Sequence, residues 1–146
     1  MSPVPDDGYE IDVEPGRVDL DVVWSFLGGE AYWGRWRTRD VVERQVRTAW
    51  RVVGVYAPDG SQVGFARAVS DGVALAYLAD VFVLEAHRGR GLGRRLVEEM
   101  FDRGPGAGFR WLLHTADAHG LYAGFGFAEP DTTLLERPAA RSGVEP

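Results

Sequence analysis

The residues best suited to chemistry lie in one stretch, where a loop rich in glycine and arginine follows an apolar segment. The loop is Arg88-Gly89-Arg90-Gly91-Leu92-Gly93, and an amphipathic pattern with helical spacing begins at Gly91. Backbone N–H groups at a helix N-terminus attract anions, and glycines let an anion approach closely. The order of strand, loop and helix therefore predicts a pyrophosphate site, with a Gly-rich turn bearing solvated arginines as the alternative.

Other phosphate-binding motifs do not fit this loop. The third glycine of the dinucleotide fingerprint would fall on Arg94, and the G-K-[ST] of a P-loop is missing. The chain contains no lysine and no cysteine, which excludes a Walker lysine, a Schiff base, a thiolate nucleophile and Cys-ligated metals.

Two residues outside the loop have side chains suited to proton transfer. Asp80 is the one charged residue in the apolar stretch Val73–Leu84, and a buried carboxylate is costly unless it is paired or functional. We expect either an ion pair, with Arg67 or Arg51, or a place in an acceptor site. Tyr122 precedes a Gly-Phe-Gly-Phe run, and a core tyrosine with a locally satisfied hydroxyl is the alternative to a role in chemistry.

The histidines give weaker signals. His114 lies on a predicted strand, where it could contact an acceptor or relay a proton. His119 and Asp117 follow shortly after, but this spacing is poor ligand geometry, and no metal site is predicted.

Aromatic side chains crowd the segment Ala31–Arg37. An aromatic wall built by Tyr32, Trp33 and Trp36 suits a cation or a flat molecule, whereas Arg35 suits a carboxylate. Packing between two helices is the alternative for the same residues.

The spacing Arg88-x-x-Gly91-x-Gly93, between an apolar strand and an amphipathic helix, resembles the cofactor motif of the GCN5-related N-acetyltransferases (GNAT). The resemblance covers roughly residues 9–137, and the order of elements matches. It implies that backbone groups hold the pyrophosphate and the pantetheine arm of acetyl-CoA. The implied contact residues are Val81, Phe82, Val83, Arg88, Gly89, Arg90, Gly91, Leu92, Gly93 and Arg94.

The same resemblance implies roles for other residues. Leu121–Phe127 is similar to the second signature of the family, which makes Tyr122 the general acid that protonates the leaving thiolate. Tyr77–Val83 is similar to the central strand of diamine acetyltransferases, in which glutamate typically precedes the aspartate; here that residue is Ala79, which argues against a polyamine. Asp80, or a water it orients, is then the candidate catalytic base. The implied acceptor site comprises Tyr32, Trp33, Trp36, Asp80 and His114.

Hydrophobic periodicity and turn residues predict the elements that position these groups. Between the last two long strands, Val73–Leu84 and Arg110–Thr115, the resemblance implies a splay. The predicted helices are Asp19–Leu27, a segment around Val42–Trp50, Gly91–Asp102 and Asp117–Ala123. The predicted strands are Tyr9–Val13, Arg51–Ala57, Gln62–Ser70, Val73–Leu84, Arg110–Thr115 and one near Thr132–Glu136.

Composition limits the class of protein. A length of 146 residues suits one domain, 1–146, with loose ends at about 1–8 and 138–146. The net charge of −6 argues against a nucleic-acid partner. The sequence has neither an apolar run of membrane-spanning length nor the pattern of a signal peptide, and we expect a cytoplasmic protein without a membrane partner.

Together these features predict an α/β protein with a GNAT-like mixed sheet that is mostly antiparallel and splayed in its middle, with helices on both faces. The predicted function is acetyl transfer from acetyl-CoA, as co-substrate, to a primary amine of a small molecule, without a metal. A non-catalytic acyl-CoA sensor, a protein or peptide N-terminal acetyltransferase and a purely structural domain are the alternatives. A homodimer is compatible with the aromatic content.

Overall fold

The computed structural model describes residues 7–30 and 37–140, without the side chain of Glu30. The chain forms two compact units, Met1–His114 and Thr115–Pro146. The first unit contains strands β1 Glu10–Asp12, β2 Arg51–Tyr56, β3 Gln62–Ser70, β4 Leu75–Val83 and β5 Arg110–Leu112, and helices α1 Leu20–Ser25, α2 Arg39–Thr48 and α3 Leu92–Phe101. The second unit contains helix α4, His119–Ala123.

Side-chain caps fix where the first two helices begin. The Asp19 carboxylate accepts hydrogen bonds from the N–H groups of Asp21 and Val22 at 3.0 and 3.3 Å, and Thr38 Oγ1 accepts from the N–H of Val41 at 3.3 Å. Such caps satisfy N–H groups that have no partner inside a helix. After α1 the chain continues as a wider π-type turn, Phe26–Glu30, so the predicted end of this helix at Leu27 was wrong.

The five strands form one sheet in the order β1-β2-β3-β4-β5, in which only β4 and β5 are parallel. Strand β5 pairs with β4 only at Leu75, Ala76 and Tyr77. From Leu78 to Val83, β4 continues without β5 beside it. The two strands therefore separate in the middle of the sheet, and the predicted GNAT-like fold class is confirmed.

Strand β4 contains a bulge beside Asp80. Phe65 of β3 pairs with Phe82, and Arg67 pairs with Ala79, so a step of two residues on β3 matches a step of three on β4. Asp80 is the extra residue of this bulge. Its φ of 57° is the one positive φ of a non-glycine residue in the described part of the chain. A left-handed backbone at a bulge re-aims the side chain.

Helices cover both faces of the sheet. Helices α1 and α2 pack their buried side chains on one face, forming the cluster Val23, Phe26, Leu27, Val42, Val46, Val52, Phe65 and Phe82. Helix α3 buries Leu96, Val97 and Met100 completely, and its Phe101 packs edge-on against Trp111 of β5. Trp111 pairs with Ala76 and Leu112 with Tyr77, so Trp111 and Tyr77 lie on opposite faces.

Several predicted boundaries need correction. Strand β4 begins at Leu75 rather than Val73, because the Asp71 carboxylate accepts the N–H groups of Val73 and Ala74 and holds them in a turn. Strand β5 ends at Leu112 rather than Thr115, and β1 and α4 are shorter than predicted.

The predicted strand near Thr132–Glu136 was wrong. These residues are exposed, and the Asp131 carboxylate accepts the N–H of Thr133 at 2.9 Å, which makes a local turn. In the described portion of the chain, no helix is long and apolar enough to cross a membrane.

Candidate functional site

The Gly-rich loop presents backbone groups rather than side chains. Gly89 and Gly91 have φ values of 82° and 75°, and Gly91 caps helix α3 without a side-chain hydrogen bond. A Cβ added at Gly89, Gly91 or Gly93 would meet no atom within 4 Å. Within the part of the chain that the structure describes, the N–H groups of residues 89–93 make no hydrogen bond. This is an open cradle of donors at a helix N-terminus, which suits an anion.

The open edge of β4 leads directly into this cradle. Leu84 N–H donates to the carbonyl of Val63 at 2.8 Å, on the side of β3. Backbone groups alternate in direction along a strand, so those of Val83 and Val81 are directed to the side that β5 has left. Arg88 confirms this direction, because its Nε donates to the Val83 carbonyl at 2.8 Å. An extended ligand could therefore add to this edge as a strand does.

The N-terminal segment contacts the same loop, a feature that the sequence did not reveal. The Tyr9 hydroxyl lies 2.8 Å from His87 Nδ1, and the Arg90 guanidinium lies 5.6 Å from the centre of the Tyr9 ring. Arg95 Nη2 donates to the Tyr9 carbonyl at 3.3 Å. Tyr9 thus connects β1 to the loop, and His87 is half-buried.

Asp80 lies in a buried cluster with Arg37 and Arg67. Arg37 donates from both terminal nitrogens to the two Asp80 carboxylate oxygens, each at 2.8 Å, and Arg67 Nε donates to Oδ2 at 2.6 Å. Arg37 also donates to the Gln45 side chain at 2.7 Å. The three charged residues are each no more than 8% exposed.

These contacts determine what Asp80 can do. Burial by itself raises the pKa of Asp80, but the hydrogen bond from Arg37 and the charges of Arg67 and Arg37 outweigh burial and lower this pKa below its usual value. A carboxylate with a low pKa and three arginine hydrogen bonds is a weak base. The geometry therefore argues against the predicted base role and matches the ion-pair alternative, with Arg67. Arg51, the other predicted partner, instead lies 3.8 Å from Glu99.

Tyr77 and His114 form a second polar pair, located where β4 and β5 separate. The Tyr77 hydroxyl lies 2.6 Å from His114 Nδ1, and the ring centres are 5.7 Å apart. Tyr77 is the last β4 residue to pair with β5, and His114 lies two residues beyond the end of β5. The pair is exposed, so a proton could move along it to solvent.

Comparison with known proteins bears on these features. A profile described as an acetyltransferase (GNAT) domain matches residues 49–129, more than half of the chain. The chain belongs to the GNAT family. A solved structure from Xanthomonas campestris pv. campestris, assigned to the acetyltransferases of this family, is 34% identical, with a TM-score of 0.84, over 90% of this chain and 93% of that one.

Two further relatives are more distant. A curated Gibberella zeae protein named as a candidate acetyltransferase is 30% identical over 83 residues, which are 57% of this chain and 45% of that protein. The chain thus spans a little under half the length of that relative. A Deinococcus radiodurans R1 structure assigned as an acetyltransferase is 23% identical, with a TM-score of 0.71, over 94% of each chain, and this likeness concerns the fold alone.

The tyrosine expected from the second GNAT signature lies in the second compact unit. Tyr122 is a buried residue of α4, and its ring packs edge-on against Phe127 with centres 5.8 Å apart. Burial, and then the negative charge of Asp117, raise the pKa of Tyr122 to about 12. The phenol therefore stays protonated at neutral pH.

Two further predictions concern the aromatic residues of the acceptor site and the binding of a metal. The aromatic residues predicted at the acceptor site, Tyr32, Trp33 and Trp36, and the neighbouring Arg35, lie outside the described residues. Among the residues that are described, no group of three or more His, Cys, Asp or Glu side chains is placed to hold a metal ion.

Proposed function

We propose that this GNAT protein transfers the acetyl group of acetyl-CoA to a primary amine of a small molecule, in one step within a ternary complex. One observation carries this proposal. The unpaired edge of β4 at Val81–Val83 leads into five loop N–H groups that make no hydrogen bond in the described part of the chain.

The residues present fit acetyl-CoA by their donor chemistry. Backbone N–H groups of Gly89–Gly93 at the start of α3 would hold the pyrophosphate, since they combine free donors with the positive end of a helix dipole. The amide groups of the pantetheine arm would pair with the backbone of Val81 and with the N–H of Val83. Arg88 keeps its guanidinium on the Val83 carbonyl, so we assign the anion to the backbone rather than to this side chain. When bound, acetyl-CoA supplies the activated acyl group as a thioester.

The chain's own residues then have distinct tasks. A backbone N–H of β4 would polarise the acyl carbonyl. The acceptor, which is an ammonium ion in water near neutral pH, must lose a proton before its nitrogen can attack. We route that proton through the Tyr77 hydroxyl to His114 Nδ1, because these two atoms are already 2.6 Å apart. The chain has no cysteine to carry the acyl group, so transfer is direct and depends on positioning two bound reactants.

Tyr122 would act on the leaving sulfur. With a pKa of about 12, complete proton transfer to a thiolate of pKa about 8.5 is uphill. A hydrogen bond from the phenol to the sulfur stabilises the developing charge without requiring that transfer first. The prediction that Tyr122 is the acid thus becomes a proposal that it donates a hydrogen bond and yields its proton late.

Asp80 has a positioning task in this proposal. Its bonds to Arg37 and Arg67 hold the bulge that re-aims β4 next to the point where β4 and β5 separate. It contributes to rate through the shape of the strand and not by accepting the proton.

Two assays test the function. Calorimetric titration with acetyl-CoA asks whether the cofactor binds, and release of free thiol over a panel of amino acids, polyamines, aminoglycosides and peptides asks whether it reacts. We expect binding, and turnover with at least one small amine. Binding without turnover would indicate an acyl-CoA sensor, and turnover confined to peptides would indicate an N-terminal acetyltransferase. Absence of binding at millimolar acetyl-CoA would overturn the proposal.

A further inference from the structure

The geometry points to an acceptor that carries a carboxylate as well as its amine, with Arg67 as the residue that binds this carboxylate. This inference rests on the proposed function and adds to it the chemical class of the substrate. The described residues accept a hydrogen bond from only one nitrogen of the Arg67 guanidinium.

Arg67 is only 8% exposed, yet only one of its three guanidinium nitrogens has a partner among the described residues. Nε donates to Asp80 Oδ2 at 2.6 Å. The two terminal nitrogens make no hydrogen bond with the described residues. Neither of them is fully buried. A nearly buried charge whose donors are free but reachable is costly unless something outside the chain completes it.

Asp80 cannot supply the missing acceptors. Its two oxygens are already held by the paired donors of Arg37 at 2.8 Å. These bonds fix the carboxylate, which in turn fixes Nε of Arg67. The guanidinium is thereby oriented with its terminal fork unused, and this fork matches the two oxygens of a carboxylate.

The neighbours of Arg67 leave space for such a ligand. Its partner across β3 and β4 is Ala79, a small, half-buried residue on the same face of the sheet. Tyr77, two residues earlier on β4, shares that face and carries the hydrogen bond to His114. A carboxylate on Arg67 would therefore lie on the same sheet face as the pair to which we assign the amine proton. A polycation would meet a positive charge at this position instead.

The test compares acceptors that differ only in this group. Free amino acids and their C-terminal amides have the same amine position but differ in the carboxylate, and kcat/KM for each pair is measured by thiol release. The ratio of kcat/KM for the acid to kcat/KM for the amide is then compared between the natural protein and its variants. Differences in amine basicity between acid and amide cancel in this comparison. We expect the natural protein to acetylate the acids.

Two variants change the site in different ways. Arg67→Lys keeps the charge and a bond to Asp80 but removes the fork, and we expect the ratio to fall by roughly ten- to a hundredfold. Ala79→Glu places a carboxylate beside Arg67 without touching Asp80, and we expect at least as large a fall, with diamines gaining relative to acids. Arg44→Lys, on the exposed part of α2, is the matched control and should leave the ratio unchanged.

Each outcome is decisive. A natural protein that prefers amides, or a ratio that changes less than twofold in Ala79→Glu, overturns the inference even where Arg67→Lys does not fold. If amines react but carboxylates make no difference, the proposed function stands and only this inference fails. If no amine reacts and acetyl-CoA does not bind, the proposed function itself has failed.

Discussion

Two regions adjoin the Val81–Val83 edge along the chain, and they are built in opposite ways. Asp80 of the cluster Arg37–Arg67–Asp80 directly precedes this edge, and the loop Arg88–Arg94 follows it. The loop offers backbone N–H groups and glycines at positive φ, and a Cβ added at these glycines would meet no atom of the described residues within 4 Å. The cluster offers charged side chains from three separate segments, almost fully removed from water. One site is made by local backbone conformation and the other by tertiary contact.

Because the two regions are built differently, they should contribute differently to the stability of the fold and to ligand binding. A loop whose donors are open contributes little to folding, because its groups are solvated whether or not the chain is folded. A buried carboxylate between two arginines is different, since removal of one partner leaves uncompensated charge in a low dielectric. We therefore expect changes in the cluster to alter stability and changes in the loop to alter affinity.

The largest expected effect is that of Asp80→Asn on stability. Asparagine tolerates the left-handed backbone as aspartate does, so the substitution removes charge and not conformation. We expect a loss of about 3–5 kcal/mol in the free energy of unfolding at pH 7, measured by urea denaturation. Asp12→Asn, which breaks a half-exposed pair with Arg17, is the control and should lose less than about 1 kcal/mol.

The pH dependence of that loss follows from the direction of the pKa. The pKa of Asp80 is lowered in the folded protein, so its contribution is fully present above the unfolded value of about 3.9 and is lost as pH falls through the folded pKa. The difference between the natural protein and Asp80→Asn should therefore shrink below about pH 4. A fully stable Asp80→Asn that had lost turnover near neutral pH would instead restore Asp80 as the catalytic base.

The same contrast explains what the sequence could and could not predict. The loop and α3 were predicted nearly to the residue, because glycine spacing and helical periodicity are local properties. The contact of Asp80 with Arg67 was foreseen as one alternative, since the two residues lie on adjacent predicted strands. Arg37 was missed because it lies 43 residues from Asp80 in the chain. A buried carboxylate does call for cations, but nothing in the spacing selects which arginine.

Elsewhere a local turn and the pairing of neighbouring strands overrode the hydrophobic pattern. The residues near Thr132–Glu136 have strand-like composition, yet they form a turn at Asp131 instead of the predicted strand. The bulge at Asp80 was also invisible, because a strand with one extra residue reads the same as a regular one until its partner is known.

The next expected effect concerns rate rather than stability. Tyr122→Phe should lower kcat by about 10²-fold by removing the hydrogen bond to the leaving sulfur. Because the pKa of Tyr122 is about 12, the phenol stays protonated, and the deficit in kcat should be the same at about pH 6 and about pH 9. Tyr56→Phe, which also alters a buried tyrosine with a raised pKa, is the control. Equal kcat in the natural protein and Tyr122→Phe would remove the assigned role.

A smaller effect is expected at the pair where β4 and β5 separate. His114→Gln should lower kcat/KM by roughly tenfold near neutral pH, since the amine proton loses its acceptor. The deficit should narrow as pH rises, because more of the amine is then already neutral. His119→Gln, an exposed histidine on α4, is the comparison. A deficit that is constant from neutral to alkaline pH would contradict a proton-accepting role for His114.

The most direct test of the central claim, that the backbone cradle at the start of α3 binds acetyl-CoA, is a calorimetric titration of two matched glycine variants. Gly91 and Gly60 both have positive φ, 75° and 88°, and in both cases an added Cβ meets nothing within 4 Å. Gly91→Ala and Gly60→Ala should therefore lose similar stability, about 1–2 kcal/mol. We predict that only Gly91→Ala weakens acetyl-CoA binding, by at least about tenfold, because its methyl group enters the cradle. Equal acetyl-CoA affinity in the two variants would contradict the account.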